Sequence, residues 1–128
     1  NLPSAGVIAL WEVIEHVWNV REYLENIKKA LGDTGLLILS TPNYWRHGHR
    51  LSNVWGKMSA PPVHVNFFTK ESLTLSLQAA GFSYVKVIQP RLYRPSLTLA
   101  SVFYNLQIAL GVEPTKTLYV IASGNEPK

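Results

Sequence analysis

The 128-residue sequence predicts an α/β fold in which short buried strands alternate with amphipathic helices. Three observations carry that expectation. Two continuous apolar runs, VIALW at 7–11 and LLILS at 36–40, have strand length and are bounded by polar or turn residues. Between them Val17, Val20, Leu24, Ile27 and Leu31 recur at steps of three and four, which places them on one face of a helix. The alternation then resumes after a long irregular segment. The order is strand, helix, strand, long loop, helix, strand, helix, strand. Such an order favours parallel pairing of the first strands, with ligands bound beyond their carboxyl ends.

VIALW, apolar without alternation, reads as a strand buried on both faces. In the helix that follows, Asn19 caps the first turn, Glu22 takes the capping-box position, and Trp18 and Tyr23 occupy staple positions. Gly32 ends the helix, and GDTG (32–35) turns the chain into LLILS. At TPN (41–43), Pro42 lacks the amide donor that a ladder needs, so pairing is expected to stop there. Residues 43–66 carry aromatic, basic and Pro residues with weak periodicity, the profile of a long functional loop. Thr69 caps a helix whose Leu73, Leu77 and Ala80 share a face; Gly81 supplies a left-handed cap, and Phe82 folds back toward Leu77. YVKVI (84–88) alternates as a strand. Residues 96–110 form a helix with the stripe Leu99, Val102, Phe103, Leu106 and Leu110, stopped by Gly111, and LYVIAS (118–123) is the last strand.

Composition narrows the class. With 47% hydrophobic and 16% charged residues the chain can build a core, which argues against disorder. With no cysteine there is neither a disulfide framework nor a thiolate metal site, in keeping with a cytoplasmic location. The net charge of +4 suits an anionic ligand and is weak support for nucleic acid. The longest apolar region, around 96–112, is interrupted by Asn105 and Gln107 and is shorter than the ~20 residues of a membrane span. Asn1 rather than Met stands first and an apolar strand follows within a few residues, so the chain is expected to begin partway through a larger protein.

The segments EVIEHV, LENIKKALGDTGLLILSTPN and PPVHVNFFTKESLTLSLQAAGF, in this order, resemble the C-terminal half of a class I S-adenosylmethionine-dependent methyltransferase. The subset they are most similar to includes the ubiquinone-type O-methyltransferases. The resemblance covers roughly residues 5–90 and, more loosely, the final strand. It implies that residues 1–128 are the C-terminal portion of one Rossmann-like methyltransferase domain. They would supply its fourth to seventh strands, the last antiparallel and inserted between the fifth and sixth. The family's Gly-rich cofactor loop belongs to the other half, and no G-x-G-x-x-G occurs in this sequence. GDTG replaces the common Lys-Pro-Gly-Gly turn, and Ala5-Gly6 stands where Phe-Asp is frequent, changes that leave the chemistry untouched.

The resemblance implies methyl transfer from S-adenosylmethionine to a small-molecule acceptor, at oxygen, with this chain alone inactive. Leu10, Trp11 and Glu12 would line the cofactor, where Trp11 could equally be a core aromatic. Glu12, Glu15 and His16 are spaced to converge on one helical turn. With the distant His64 they match a cluster that holds a divalent metal in a few members, here Mg²⁺ or Mn²⁺, with Zn²⁺ fitting equally on ligand type. The plainer alternative is that the acids favour a helix N-terminus and His16 bonds locally. His64 is also a general-base candidate without metal, or else an anchor for the loop on Phe67 and Phe68; Glu12 is the second catalytic candidate. YWRHGHRLSNVWGK (44–57) interleaves Tyr44, Trp45 and Trp55 with Arg46, His47, His49, Arg50 and Lys57. It suits a substrate lid better than a solvated loop or a nucleic-acid grip. A second reading makes the chain a non-catalytic fragment, or a subunit that packs against a partner. A stripe like that of 96–110 is most often core; with the half-domain it should cover absent, it is expected instead to lie exposed and to drive self-association.

Overall fold

The computed structural model describes residues 5–44, 63–88, 98–110 and 115–127. Among them four strands, β1 (Val7–Trp11), β2 (Leu36–Pro42), β3 (Tyr84–Ile88) and β4 (Thr117–Ser123), form one sheet in the order β1-β2-β4-β3. β1 and β2 pair parallel, with Val7 opposite Leu36 and Trp11 opposite Ser40. β4 runs antiparallel to both β2 and β3 and lies between them. This is the expected sheet, with its last strand inserted. A 3₁₀ turn (Ile14–His16) and helix α1 (Val20–Leu31) connect β1 to β2; helices α2 (Lys70–Ala79) and α3 (Leu99–Ala109) precede β3 and β4.

The register sorts the side chains by face. Ile8, Leu10, Leu37, Leu39, Thr41, Leu118, Val120, Ala122, Val85 and Val87 share one face. There they meet Leu24, Ile27 and Leu31 of α1 and Leu73 and Leu77 of α2 in a single core. Val7, Ala9, Trp11, Leu36, Ile38, Ser40, Tyr119 and Ile121 share the other. That face is poorly covered: Val7 and Trp11 are each 58% exposed. The expectation that β1 is buried on both faces is therefore corrected. Among the described residues it is an edge strand with a helix on one side only, and apolar runs cannot reveal which neighbours are present.

The helix ends follow the sequence. The Asn19 side chain accepts from the Glu22 backbone N–H at 3.2 Å and donates to the Glu22 carboxylate at 2.8 Å. Trp18, however, is 85% exposed, so it forms no staple with Tyr23. Val17 lies before α1, as the extended residue that caps the 3₁₀ turn. Thr69 and Ser72 form a full capping box at α2. At its far end Gly81 takes φ +97°, which lets the Phe82 N–H reach the Leu77 carbonyl at 3.1 Å and buries the Phe82 ring.

Pro42 does not stop the strand, because Pro42 still pairs with Thr117. The neighbouring Asn43 N–H donates to the Lys116 carbonyl at 2.8 Å, so strand alternation turns the Pro42 nitrogen toward the opposite edge. There β1 has already ended, opposite Ser40, and no ladder bond is lost. On α3 the apolar stripe is uncovered as expected, with Leu99 90% and Leu110 71% exposed.

Candidate functional site

The carboxyl ends of β1 and β2 lie side by side, and the chain leaving each contributes acids, hydroxyls or histidines. After Trp11 the backbone turns sharply at Glu12, whose φ of +53° is the only positive value of a non-glycine among the described residues. A left-handed residue with a Cβ costs roughly 1–2 kcal/mol. Glu12 is held there by Ser40: its N–H donates to the Ser40 carbonyl at 3.1 Å, and its carboxylate accepts from the Ser40 hydroxyl at 2.7 Å. The expected helical turn from Glu12 to His16 therefore does not form. Only Ile14–His16 is helical, and Glu12 points away from the others.

Glu15 is 1% exposed. One carboxylate oxygen, Oε2, accepts from the Thr41 hydroxyl at 2.9 Å; the other, Oε1, is buried with no hydrogen-bond partner among the described residues. Nε2 of His16 faces that oxygen at 3.9 Å, too far for a direct hydrogen bond. On the far side of the ring, Nδ1 of His16 bonds to the Val63 carbonyl. A carbonyl can only accept, so Nδ1 carries the proton and a neutral ring presents a lone pair at Nε2. With the ring neutral, two acceptors face each other across a gap that a water hydrogen or a cation could bridge.

The segment 63–68 brings in the second histidine. Val65 and Asn66 donate their backbone N–H groups to the Glu15 carbonyl at 2.9 and 3.0 Å, and the Asn66 side chain donates to the Val17 carbonyl. The Tyr44 N–H donates to the Phe68 carbonyl at 2.8 Å, tying the same segment to the end of β2. His64 is thereby seated edge-on to His16, with ring centroids 4.8 Å apart. Ligand atoms of Glu15, His16 and His64 all lie within 4.8 Å of one another. Three equidistant ligands of one ion at about 2.0–2.2 Å stand no more than about 3.8 Å apart. The cluster therefore closes on a cation with shifts of about an ångström.

The sequence-derived residues separate into two groups. Glu15, His16 and His64 come together; Glu12 joins Ser40 on the other side of β2, beside the exposed Trp11. Leu10 is buried in the core. Of the aromatic-basic segment only Tyr44 is described, its ring tilted against Phe67 at 5.4 Å. Trp45, Arg46, His47, His49, Arg50, Trp55 and Lys57 lie outside the described residues. Ser40, Thr41 and Asn66 were not singled out from the sequence. The signal that could have found the first two is a hydroxyl pair closing a buried strand, one side chain for each face.

No helix among the described residues is long and apolar enough to cross a membrane. Residues 3–87 match the model of a methyltransferase domain family. Over 84 residues the chain is 32% identical to a probable S-adenosylmethionine-dependent methyltransferase of Mycobacterium tuberculosis, covering 63% of this chain and 28% of that protein. Its fold is similar to a SAM-dependent methyltransferase of Thermotoga maritima (TM-score 0.65, 18% identity, 96% of this chain, 57% of that one). It is also similar to one of Archaeoglobus fulgidus (TM-score 0.56, 14% identity, 94% and 59%). The chain spans little more than a quarter of the length of that curated relative. With the family match over residues 3–87 and the parallel β1–β2 pair carrying the inserted antiparallel β4, the chain belongs to the class I S-adenosylmethionine-dependent methyltransferases.

Proposed function

We propose that this chain forms the acceptor side of a methyltransferase that moves a methyl group from S-adenosylmethionine to the oxygen of a small molecule. The observation that carries this reading is the gathering of Glu15, His16 and His64 beside the carboxyl ends of two parallel strands. The cofactor supplies a methyl group on a positively charged sulfur. The exposed Trp11 ring and the Glu12 carboxylate at the end of β1 offer a face and a negative charge to that cation, with the Leu10 backbone beside them. Its glycine-rich loop is not among these 128 residues, so the chain by itself should bind the cofactor weakly or not at all.

The acceptor oxygen forms its bond to the methyl carbon as the carbon–sulfur bond breaks, and the hydroxyl proton must leave. His64, partly exposed beside the crevice, is the base proposed to take it. Glu15, His16 and His64 also fit a divalent cation, because an unpartnered buried carboxylate oxygen already faces an imidazole lone pair. A bound Mn²⁺ or Mg²⁺ would acidify the acceptor hydroxyl. One carboxylate with two imidazoles favours Mn²⁺ or another transition ion over Mg²⁺, which prefers oxygen.

Calorimetry separates the readings. S-adenosylmethionine is titrated into the 128-residue chain and into a longer protein carrying this chain with a glycine-rich cofactor loop. Binding only by the longer protein, and turnover of phenolic acceptors that falls at least tenfold in His64→Ala, support the proposal. Unchanged turnover in that variant removes His64 from the chemistry. Failure of the longer protein to bind the cofactor would favour a non-catalytic packing subunit.

A further inference from the structure

The two acids of the E-x-x-E-H segment are handed to different faces of the sheet by two consecutive hydroxyl residues. Ser40 and Thr41 are neighbours on β2, so their side chains project to opposite faces. Ser40 lies with Trp11 and Tyr119, and its hydroxyl holds Glu12 at 2.7 Å. Thr41 lies on the core face opposite Leu118, and its hydroxyl holds Glu15 at 2.9 Å. A carboxylate gripped at one oxygen by a buried, immobile donor has its other oxygen fixed in direction. For Glu15 that free oxygen is the orphan facing His16.

We propose that Thr41 is a positioning residue for a three-ligand cation site made of Glu15, His16 and His64, and that Ser40 keeps Glu12 out of it. The inference rests on the cation reading of the preceding subsection. Thr41 touches neither cation nor substrate; it acts by aiming Glu15. The Val63 carbonyl does the same for His16, holding the tautomer whose Nε2 can ligate. The left-handed turn at Glu12 is part of the device, because it turns the first acid toward Ser40 rather than onto the 3₁₀ turn.

The test measures Mn²⁺ binding directly, by the electron-spin-resonance signal of the free ion, on the full 128-residue chain. The variants are Thr41→Val, Thr41→Ser, Glu12→Gln and Glu15→Gln. Thr41→Val keeps the volume and removes the donor; it should weaken Mn²⁺ about 10–100-fold, as loss of an outer-shell partner does. Thr41→Ser restores the donor and should bind within about threefold of wild type. Glu15→Gln should abolish binding and Glu12→Gln should leave it unchanged. Paramagnetic broadening of the His16 and His64 ring protons, absent in Glu15→Gln, locates the ion. Wild-type chain that binds no Mn²⁺ overturns the cation reading, and the inference with it. Wild-type binding that Thr41→Val leaves intact overturns the role of Thr41 alone. Should Thr41→Val fail to fold, Glu12→Gln decides: a loss equal to that of Glu15→Gln means a four-ligand site and refutes the division.

Discussion

Replacing Glu15 with glutamine should make the metal-free chain more stable. Glu15 is 1% exposed, and its Oε1 meets no donor among the described residues. A buried acceptor left unpaired costs about 1–3 kcal/mol, more when it carries charge. Glutamine has the same shape. Its carbonyl can accept the Thr41 hydroxyl hydrogen bond in place of Oε2, and its amide then stands where Oε1 stood, facing His16 Nε2. In the neutral ring that nitrogen is an acceptor, because Nδ1–H is committed to the Val63 carbonyl. The present gap is 3.9 Å, so a hydrogen bond near 3.0 Å needs a shift of about 0.9 Å. The His16 side chain is 45% exposed and has room to make it. The expected gain is therefore about 1–3 kcal/mol, or a rise of roughly 0.5–1.5 M in urea midpoint at an m-value near 2 kcal/mol/M. The assay is urea unfolding in chelator, followed by circular dichroism. Adding Mn²⁺ at a hundred times its dissociation constant should then stabilise wild type by about 2.7 kcal/mol and the variant not at all, erasing or inverting the order. A Glu15→Gln chain that is equally or less stable in chelator refutes the reasoning, since it would mean the orphan oxygen carries no penalty.

Three other outcomes follow from the fold. Phe82→Ala empties a site 1% exposed between α2 and the sheet and should cost about 3–5 kcal/mol in urea unfolding; a loss below 1 kcal/mol would place the ring outside the shared core. The uncovered stripe of α3 should make the chain self-associate, and the double variant Phe103→Glu, Leu106→Glu should suppress this in sedimentation velocity; a monodisperse wild-type monomer contradicts it. A hydrogen bond from Lys28, then its charge, holds the Asp33 carboxyl below its ordinary value of 3.8. The folded value is the lower one, so the contribution is present above the unfolded value and lost as pH falls through the folded one. The stability gap between wild type and Asp33→Asn should be present at neutral pH and close below pH 3.8; a gap that stays constant through acid rules the pair out.

Local rules made the frame legible. The Asn19 and Thr69 caps, the Gly81 ending and the strands at 7–11 and 84–88 each depend on residues within one turn of the chain. Burial was less legible, because it depends on neighbours the pattern does not name. VIALW looks like a central strand and is one-sided here; Trp18 sits at a staple position and points into solvent. Pro42 breaks a ladder only if its nitrogen faces a partner, and which edge it faces follows from Asn43 bonding to Lys116, a contact far away in the chain.

The same limit applied to the site. Spacing of three and four put Glu12, Glu15 and His16 on one helical turn, which assumes that helical dihedrals begin at Glu12. They begin only after it, with Val13 in the right-handed region and the turn at Ile14–His16, because closing β1 against Ser40 holds Glu12 in the left-handed region. The strain of that turn, roughly 1–2 kcal/mol, is offset by a charge-assisted hydrogen bond of similar size from Ser40. Ser40→Ala removes that side-chain bond and leaves the Glu12 N–H on the residue-40 carbonyl, so the turn keeps its place while its strain goes uncompensated and the Glu12 carboxylate loses its anchor. Two hydroxyls on one strand thus decide how many carboxylates the crevice offers on each side, one facing the end of β1 and one facing the histidines. Sequence spacing counts the acids, and strand alternation decides where each of them is used.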